Sequence, residues 1–185
     1  MIYINLILAA MAAIACVNIL CGAAPLPVIG ATVLLTVAVI AVDGIFAFLI
    51  RRLPERWFSY ERRIFAVGRR ESDFYRAIGV KRWKRIVPDL GCFTKFPKQH
   101  LDDPTSAAYT GRYLLEAAYG IAIHAVNIPT GFLILLILPP YALTVALPVA
   151  CVNLFLSLLP VFLLRSNFPT LVRLHRRNTK KALTP

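Results

Sequence analysis

The sequence predicts an all-α integral membrane protein in which four transmembrane helices form two hairpins joined by a basic cytoplasmic interfacial segment. Three observations predict it. Of 185 residues, 58% are hydrophobic and 16% are charged, whereas a soluble domain carries about 25% charged residues to cover its surface. The formal net charge of +12 is laid out in blocks: residues 1–50 hold no Lys or Arg, residues 51–112 hold 15 of the 21 basic residues, and residues 165–181 hold the other 6. Between the charged blocks lie apolar runs long enough to cross about 30 Å of hydrocarbon, which takes about 20 helical residues. Mean hydropathy is +0.68, and an ordinary soluble fold is excluded.

The first run spans about Ile2 to Ala23 and the second about Val28 to Ile50, with Pro25 and Pro27 turning the chain between them. The first is read as a span and not as a cleaved signal peptide, because it lacks a basic n-region and its apolar stretch is longer than such peptides carry. The third run extends from about Tyr113 to Leu138, where Pro139-Pro140 turns it into a fourth from Tyr141 to Leu164. Both short connections are uncharged, while the middle segment and the tail carry the cations. The positive-inside rule therefore puts both termini and the basic segment on the cytoplasmic side. The chain is read as one domain with four parts: an N-terminal hairpin (1–50), a basic amphipathic segment and loop (51–112), a C-terminal hairpin (113–164) and a basic tail (165–185). Cys16, Cys21, Cys92 and Cys151 show no CxxC spacing, so neither a disulfide framework nor a metal site is expected.

Within the basic segment, Leu53, Trp57, Tyr60, Ile64 and Phe65 alternate with Arg51, Arg52, Arg56, Arg62 and Arg63, the pattern of a helix lying in the headgroup layer. A second mixture of aromatics and cations runs from Phe74 to Ile86. The plain reading is binding of the lipid bilayer's anionic headgroups. The sharper one is a seat for a polyanionic substrate headgroup such as coenzyme phosphates. No nucleic-acid partner is expected, since the cations lie against a bilayer. Residues 89–104, with several prolines, read as a loop, and His100 stands there beside Asp102 and Asp103.

The third span carries the strongest positional signal. Arg112, Glu116, Gly120, His124, Asn127 and Gly131 follow at steps of four, four, four, three and four, so they share one helix face. An ionisable group near the bilayer centre costs at least about 2.5–3.5 kcal/mol and almost always faces the bundle interior. Glu116 and His124 are thus expected to point inward, either joining helices or handling a substrate. Asp43 in the second span, Asn153 and Ser157 in the fourth, and Arg165 and Asn167 at its exit are candidates to complete such a site. Asp43 is equally suited to pair with an arginine reaching in from the basic segment.

The order Ile64-Phe65, Glu71, Phe74-Tyr75, Trp83-Lys84, Pro88, Gly91, Lys95, His100-Leu101, Glu116 with His124 eight residues on, and Arg165-Ser166-Asn167 followed by Pro169 resembles the glycosyl-4,4'-diaponeurosporenoate acyltransferase family over about residues 60–175. These are small bacterial membrane enzymes that attach a fatty acyl chain to the sugar of a carotenoid glycoside. The family tends to show a second Glu where this chain has Ile121, and Gln-Arg-Tyr-Asn-Arg where this chain reads Leu164-Arg165-Ser166-Asn167-Phe168. The resemblance implies O-acyl transfer from an acyl thioester, with acyl-CoA or acyl carrier protein as co-substrate and no cofactor, to a hydroxyl of a lipid or glycolipid acceptor, at the bacterial cytoplasmic membrane. His100 or His124 is then the expected base with Glu116 orienting or polarising it. Glu116 and His124 lie about 12 Å apart along one helix, too far for a direct hydrogen bond. Asp43, Trp83, Lys84, Lys95, Arg112, Asn127, Arg165 and Asn167 are the expected substrate contacts. A noncatalytic lipid-binding or assembly protein, and a small proton-coupled transporter using the intramembrane Glu and His, are the alternatives.

Overall fold

A computed structural model describes residues 2–83 and 101–183, which are helix, turn or irregular chain with no strand among them. Helix α1 (Ile2–Leu20) ends at Gly22, whose φ of +93° an L side chain rarely adopts. Helix α2 (Pro25–Arg51) starts on proline, which suits a first helical turn because its missing N–H has no intrahelical partner there. Two 3-10 turns, Glu55–Phe58 and Arg63–Phe65, lead to α3 (Arg69–Ala77) and the short α4 (Val80–Trp83). Helix α5 (Ala107–Thr130) continues as 3-10 helix through Gly131–Leu136. Pro139–Tyr141 and a π-helical turn, Ala142–Ala146, then open α6 (Leu147–Leu183).

Four of these stretches are long and apolar enough to cross a membrane: Tyr3–Leu20, Pro25–Arg51, Ala107–Leu136 and Pro139–Leu183. Their outward faces carry Ile4, Leu8, Val17, Leu34, Val37, Leu143 and Phe155, all exposed. Large unpartnered apolar surfaces of this kind belong against lipid.

Several boundaries differ from the sequence reading, each for a local reason. The third apolar helix begins at Ala107, six residues before Tyr113, because Ser106 caps it, its hydroxyl accepting the backbone N–H of Tyr109 at 3.1 Å, while Asp103 Oδ1 braces the turn before it by accepting from the backbone N–H groups of Thr105 and Ser106 at 3.2 and 3.1 Å and from the Thr105 hydroxyl at 2.9 Å. The fourth does not stop at Leu164 but runs on through the basic tail to Leu183. Pro160 and Pro169 lie inside it without ending it. Residues 51–65 form two 3-10 turns where one amphipathic helix was expected, so Phe58 and Phe65 are buried while Leu53, Trp57 and Ile64 stay exposed.

The chain divides into two compact units, Met1–Arg52 with Ile123–Leu159, and Leu53–Ala122 with Pro160–Pro185. The first has a core of Leu35, Val39, Ile134, Val145, Ala146, Val149 and Ala150. Ala146 and Ala150 are wholly buried, and their small side chains let neighbouring backbones approach closely, as helix packing in lipid requires. Asn18 of α1 donates to the carbonyls of Ile14 at 2.8 Å and Thr144 at 2.9 Å. The second unit is built on aromatic pairs, Phe58 with Tyr119 at 4.2 Å between ring centroids and Phe65 stacked on Phe168 at 5.9 Å.

Candidate functional site

In the second unit the chain folds around one guanidinium. Arg165 donates from Nε and from one terminal nitrogen to the two carboxylate oxygens of Glu71 on α3, the latter bond being 2.9 Å. Its terminal nitrogens also donate to the carbonyls of Ile64 at 2.9 Å and Ala66 at 3.2 Å. A planar fork of fixed donors suits two-point capture of a carboxylate in a way an ammonium does not. The Tyr75 hydroxyl donates at 2.6 Å to Glu71 Oε1, the oxygen that also accepts from Arg165 Nε. Phe162 packs against Phe74 and Tyr75 at 5.6 and 5.7 Å. Arg165's bonds hold the Glu71 carboxyl below its ordinary value against the opposing effect of burial. Burial first, then the bond to Glu71, pushes the Tyr75 phenol up to about 12.

The cluster gathers Ile64, Phe65, Glu71, Phe74, Tyr75 and Arg165. These residues come from two ends of the ordered set that carried the family resemblance. Spacing alone did not reveal the Glu71–Arg165 pair, whose members are 94 positions apart. The available signal was their presence in that set. Arg165, expected at the substrate, directs its hydrogen bonds into this clamp.

Glu116 is buried at 8% exposure, Arg112 and Asn167 are exposed, and Trp83 donates through its indole N–H to the Ile78 carbonyl at 3.1 Å. His100, Lys84 and Lys95 lie outside the described residues. The polar face of α5 is divided: Arg112, Glu116 and Gly120 belong to the second unit, and His124, Asn127 and Gly131 to the first. His124 is half-buried.

A third histidine, absent from the expected site, is held firmly in the second unit. His175 of α6 lies with Nδ1 3.1 Å from the Thr110 hydroxyl, and the Tyr60 ring meets it edge-on at 5.3 Å. A Cβ at Gly111 would stand 3.1 Å from its Cε1, so glycine there leaves room for the ring. As a lone histidine in a cationic tail it gave no sequence signal. Asn178, one helical turn on, donates to the Pro104 carbonyl at 2.8 Å.

The first unit holds a separate polar cluster. Asn153 Nδ2 donates to Asp43 Oδ1 at 3.3 Å and, at a long 3.5 Å, to the Asn127 carbonyl. The sequence had left Asp43 between an arginine partner and a site; here it meets an amide from α6. The Asn127 side-chain oxygen and the Thr36 hydroxyl are buried with no hydrogen-bond partner among the described residues. Thr36 and Asn153 also line an apolar crevice with Ile7, Met11, Ile14 and Ile40. Gly131 gives Asn153 its place, since a Cβ there would stand 2.5 Å from Nδ2 and 3.5 Å from Val39 Cγ2. Gly131→Ala is therefore expected to displace the amide and destabilise the protein by about 1–2 kcal/mol, read as a lower thermal midpoint in detergent. An unchanged midpoint would mean that the amide has room to move.

Among the described residues, no group of three or more His, Cys, Asp or Glu could hold a metal ion. No curated protein and no solved structure matches the chain. A protein-family profile described as glycosyl-4,4'-diaponeurosporenoate acyltransferase matches residues 54–177. The matched stretch contains every residue of the Arg165 clamp, as well as Glu116, His124 and His175. With more than half of its length matched, the chain belongs to the glycosyl-4,4'-diaponeurosporenoate acyltransferase family.

Proposed function

We propose that the protein is a membrane acyltransferase that moves a fatty acyl group from an acyl thioester, carried on coenzyme A or acyl carrier protein, to a hydroxyl of a lipid-borne, glycosylated acceptor such as a carotenoid glycoside. The family match over residues 54–177 carries this reading. The four apolar helices support a multi-pass arrangement in the bacterial cytoplasmic membrane, as two hairpins with the basic segment and both termini on the cytoplasmic side, where acyl thioesters are found.

The reaction needs a base for the acceptor hydroxyl and donors for the oxyanion that forms on the thioester carbonyl. An imidazole suits the first task, with an unperturbed pKa of about 6.5. His100 and His124 are the candidates drawn from the sequence, and Glu116 is the carboxylate that orients an imidazole or the acceptor. Lys95 and Asn167 are proposed oxyanion or headgroup contacts, joined by Arg112. Arg62, Arg63, Lys81, Lys84 and Arg85 hold the anionic part of the donor, and Trp83 anchors the segment at the interface. Arg165 serves by fixing the segment from Ile64 to Tyr75.

Single replacement of His100, Glu116 and His124 by Ala, assayed as acylated lipid in membranes that contain folded protein, tests the assignment. At least one variant is expected to lose about tenfold or more, as lost positioning of the acceptor does. Full acylation by all three removes them from the site. The apolar crevice of the first unit favours a second reading, noncatalytic lipid binding, in which none of these replacements changes the lipid profile.

A further inference from the structure

We propose that His175, in place of the two histidines drawn from the sequence, is the base of this reaction, an assignment that rests on the acyl-transfer reading above. A general base needs a nitrogen lone pair in a fixed direction, and the surroundings of His175 supply both. The Thr110 hydroxyl has one proton, and its shortest bond, 2.8 Å, runs to the Ser106 carbonyl one helical turn back. With that proton placed on Ser106, Thr110 Oγ1 meets the imidazole as an acceptor, so Nδ1 carries the hydrogen. The lone pair is then on Nε2. No hydrogen bond to Nε2 is found among the described residues, and the ring is half-buried.

The ring is also held against rotation. Thr110 is 1% exposed, and its own position is fixed by helix α5. Gly111 admits the imidazole to within 3.1 Å of where a Cβ would be, and Tyr60 bounds it edge-on. Three residues thus converge on a single tautomer in a single orientation, the preparation that catalytic histidines receive from a hydrogen-bonding partner on the far nitrogen. Arg173, Arg176, Arg177, Lys180 and Lys181 lie on the same stretch of α6, which brings cationic charge to the place where a thioester's phosphate-bearing carrier would approach.

In the proposed step, Nε2 takes the proton of the acceptor hydroxyl as its oxygen bonds to the thioester carbonyl carbon, and the carbonyl π pair moves onto oxygen. The tetrahedral intermediate then expels the thiolate by breaking the C–S bond, and the thiolate takes the proton back from Nε2. The products are an ester and a thiol, with the imidazole neutral again. No further reactant is needed.

The test uses the full chain in detergent or vesicles, with radiolabelled palmitoyl-coenzyme A and glycosyl-4,4'-diaponeurosporenoate as probes. His175→Ala is expected to lower kcat by about 100- to 10,000-fold with a smaller change in KM for the acceptor, and added imidazole is expected to restore part of the rate. Thr110→Val, which removes the partner of Nδ1 and leaves the base in place, is expected to lower kcat roughly tenfold through lost orientation. Should His175→Ala not accumulate as folded protein, His175→Gln and Thr110→Val carry the same comparison. A folded His175 variant that keeps the wild-type kcat overturns the assignment, as does a loss that imidazole leaves unchanged in both His175 variants. Wild-type protein that transfers no acyl group overturns the acyl-transfer reading and this assignment with it.

Discussion

Arg165→Ala is expected to destabilise the protein by about 2–3 kcal/mol, seen as a lower thermal or denaturant midpoint. Hydrogen bonds to charged groups are worth about 1.5–3 kcal/mol each, and Arg165 makes two to Glu71 and two to backbone carbonyls. The total is smaller than their sum because the side chains of the pair remain 17% and 28% exposed, so water screens part of the attraction. Arg165→Lys should recover little of the loss, since a single ammonium cannot grip the carboxylate at two points while also reaching Ile64 and Ala66. A double-mutant cycle with Glu71→Gln isolates the pair. A coupling below about 0.5 kcal/mol would reduce it to an ordinary surface contact.

The same clamp sets a pH dependence. Glu71 is held below its ordinary value of 4.5 in the folded chain, so its contribution is fully present above 4.5 and is lost as pH falls through the lower folded value. Tyr75 acts at the other end. Raised from 10.0 to about 12, its phenol contributes fully below 10 and loses that contribution as pH rises towards 12.

Asn153→Leu is expected to have a comparable effect in the first unit, about 2–3 kcal/mol. It removes the donor from Asp43 Oδ1 and from the Asn127 carbonyl, leaving a carboxyl group uncompensated in a segment apolar enough for hydrocarbon. Replacing both partners, Asp43→Leu with Asn153→Leu, is expected to restore most of the loss, because removing a polar pair together leaves nothing unsatisfied. Loss in the double variant as large as in the single one would mean that Asp43 serves something other than this amide.

The apolar spans were legible because hydrocarbon imposes a length and composition that few other environments do. The junctions were less so. Pro139-Pro140 marked a break, but nothing in the residues foretold that 3-10 and π turns would follow on either side, or that Pro160 and Pro169 would be absorbed within a helix reaching Leu183. In the basic segment the aromatics were visible, but the continuous helix expected there is two short turns; Phe65 of the expected stripe and Phe58 outside it pack inward, while Leu53, Trp57 and Ile64 of the stripe stay exposed. Glu116 was read as inward-facing and is buried. The partners of Asp43 and Arg165, at separations of 110 and 94 positions, depend on tertiary packing that periodicity cannot express. His175 was passed over for the same reason: Thr110, Gly111 and Tyr60 give it its setting, and none is near it in the chain.

Arg165 grips the peptide oxygens of Ile64 and Ala66, groups that every amino acid supplies. A library randomised at positions 64 and 66 should for that reason yield many functional members, while one randomised at 71 and 165 should yield few, so the outline of this bend can outlast wide drift in the letters that spell it.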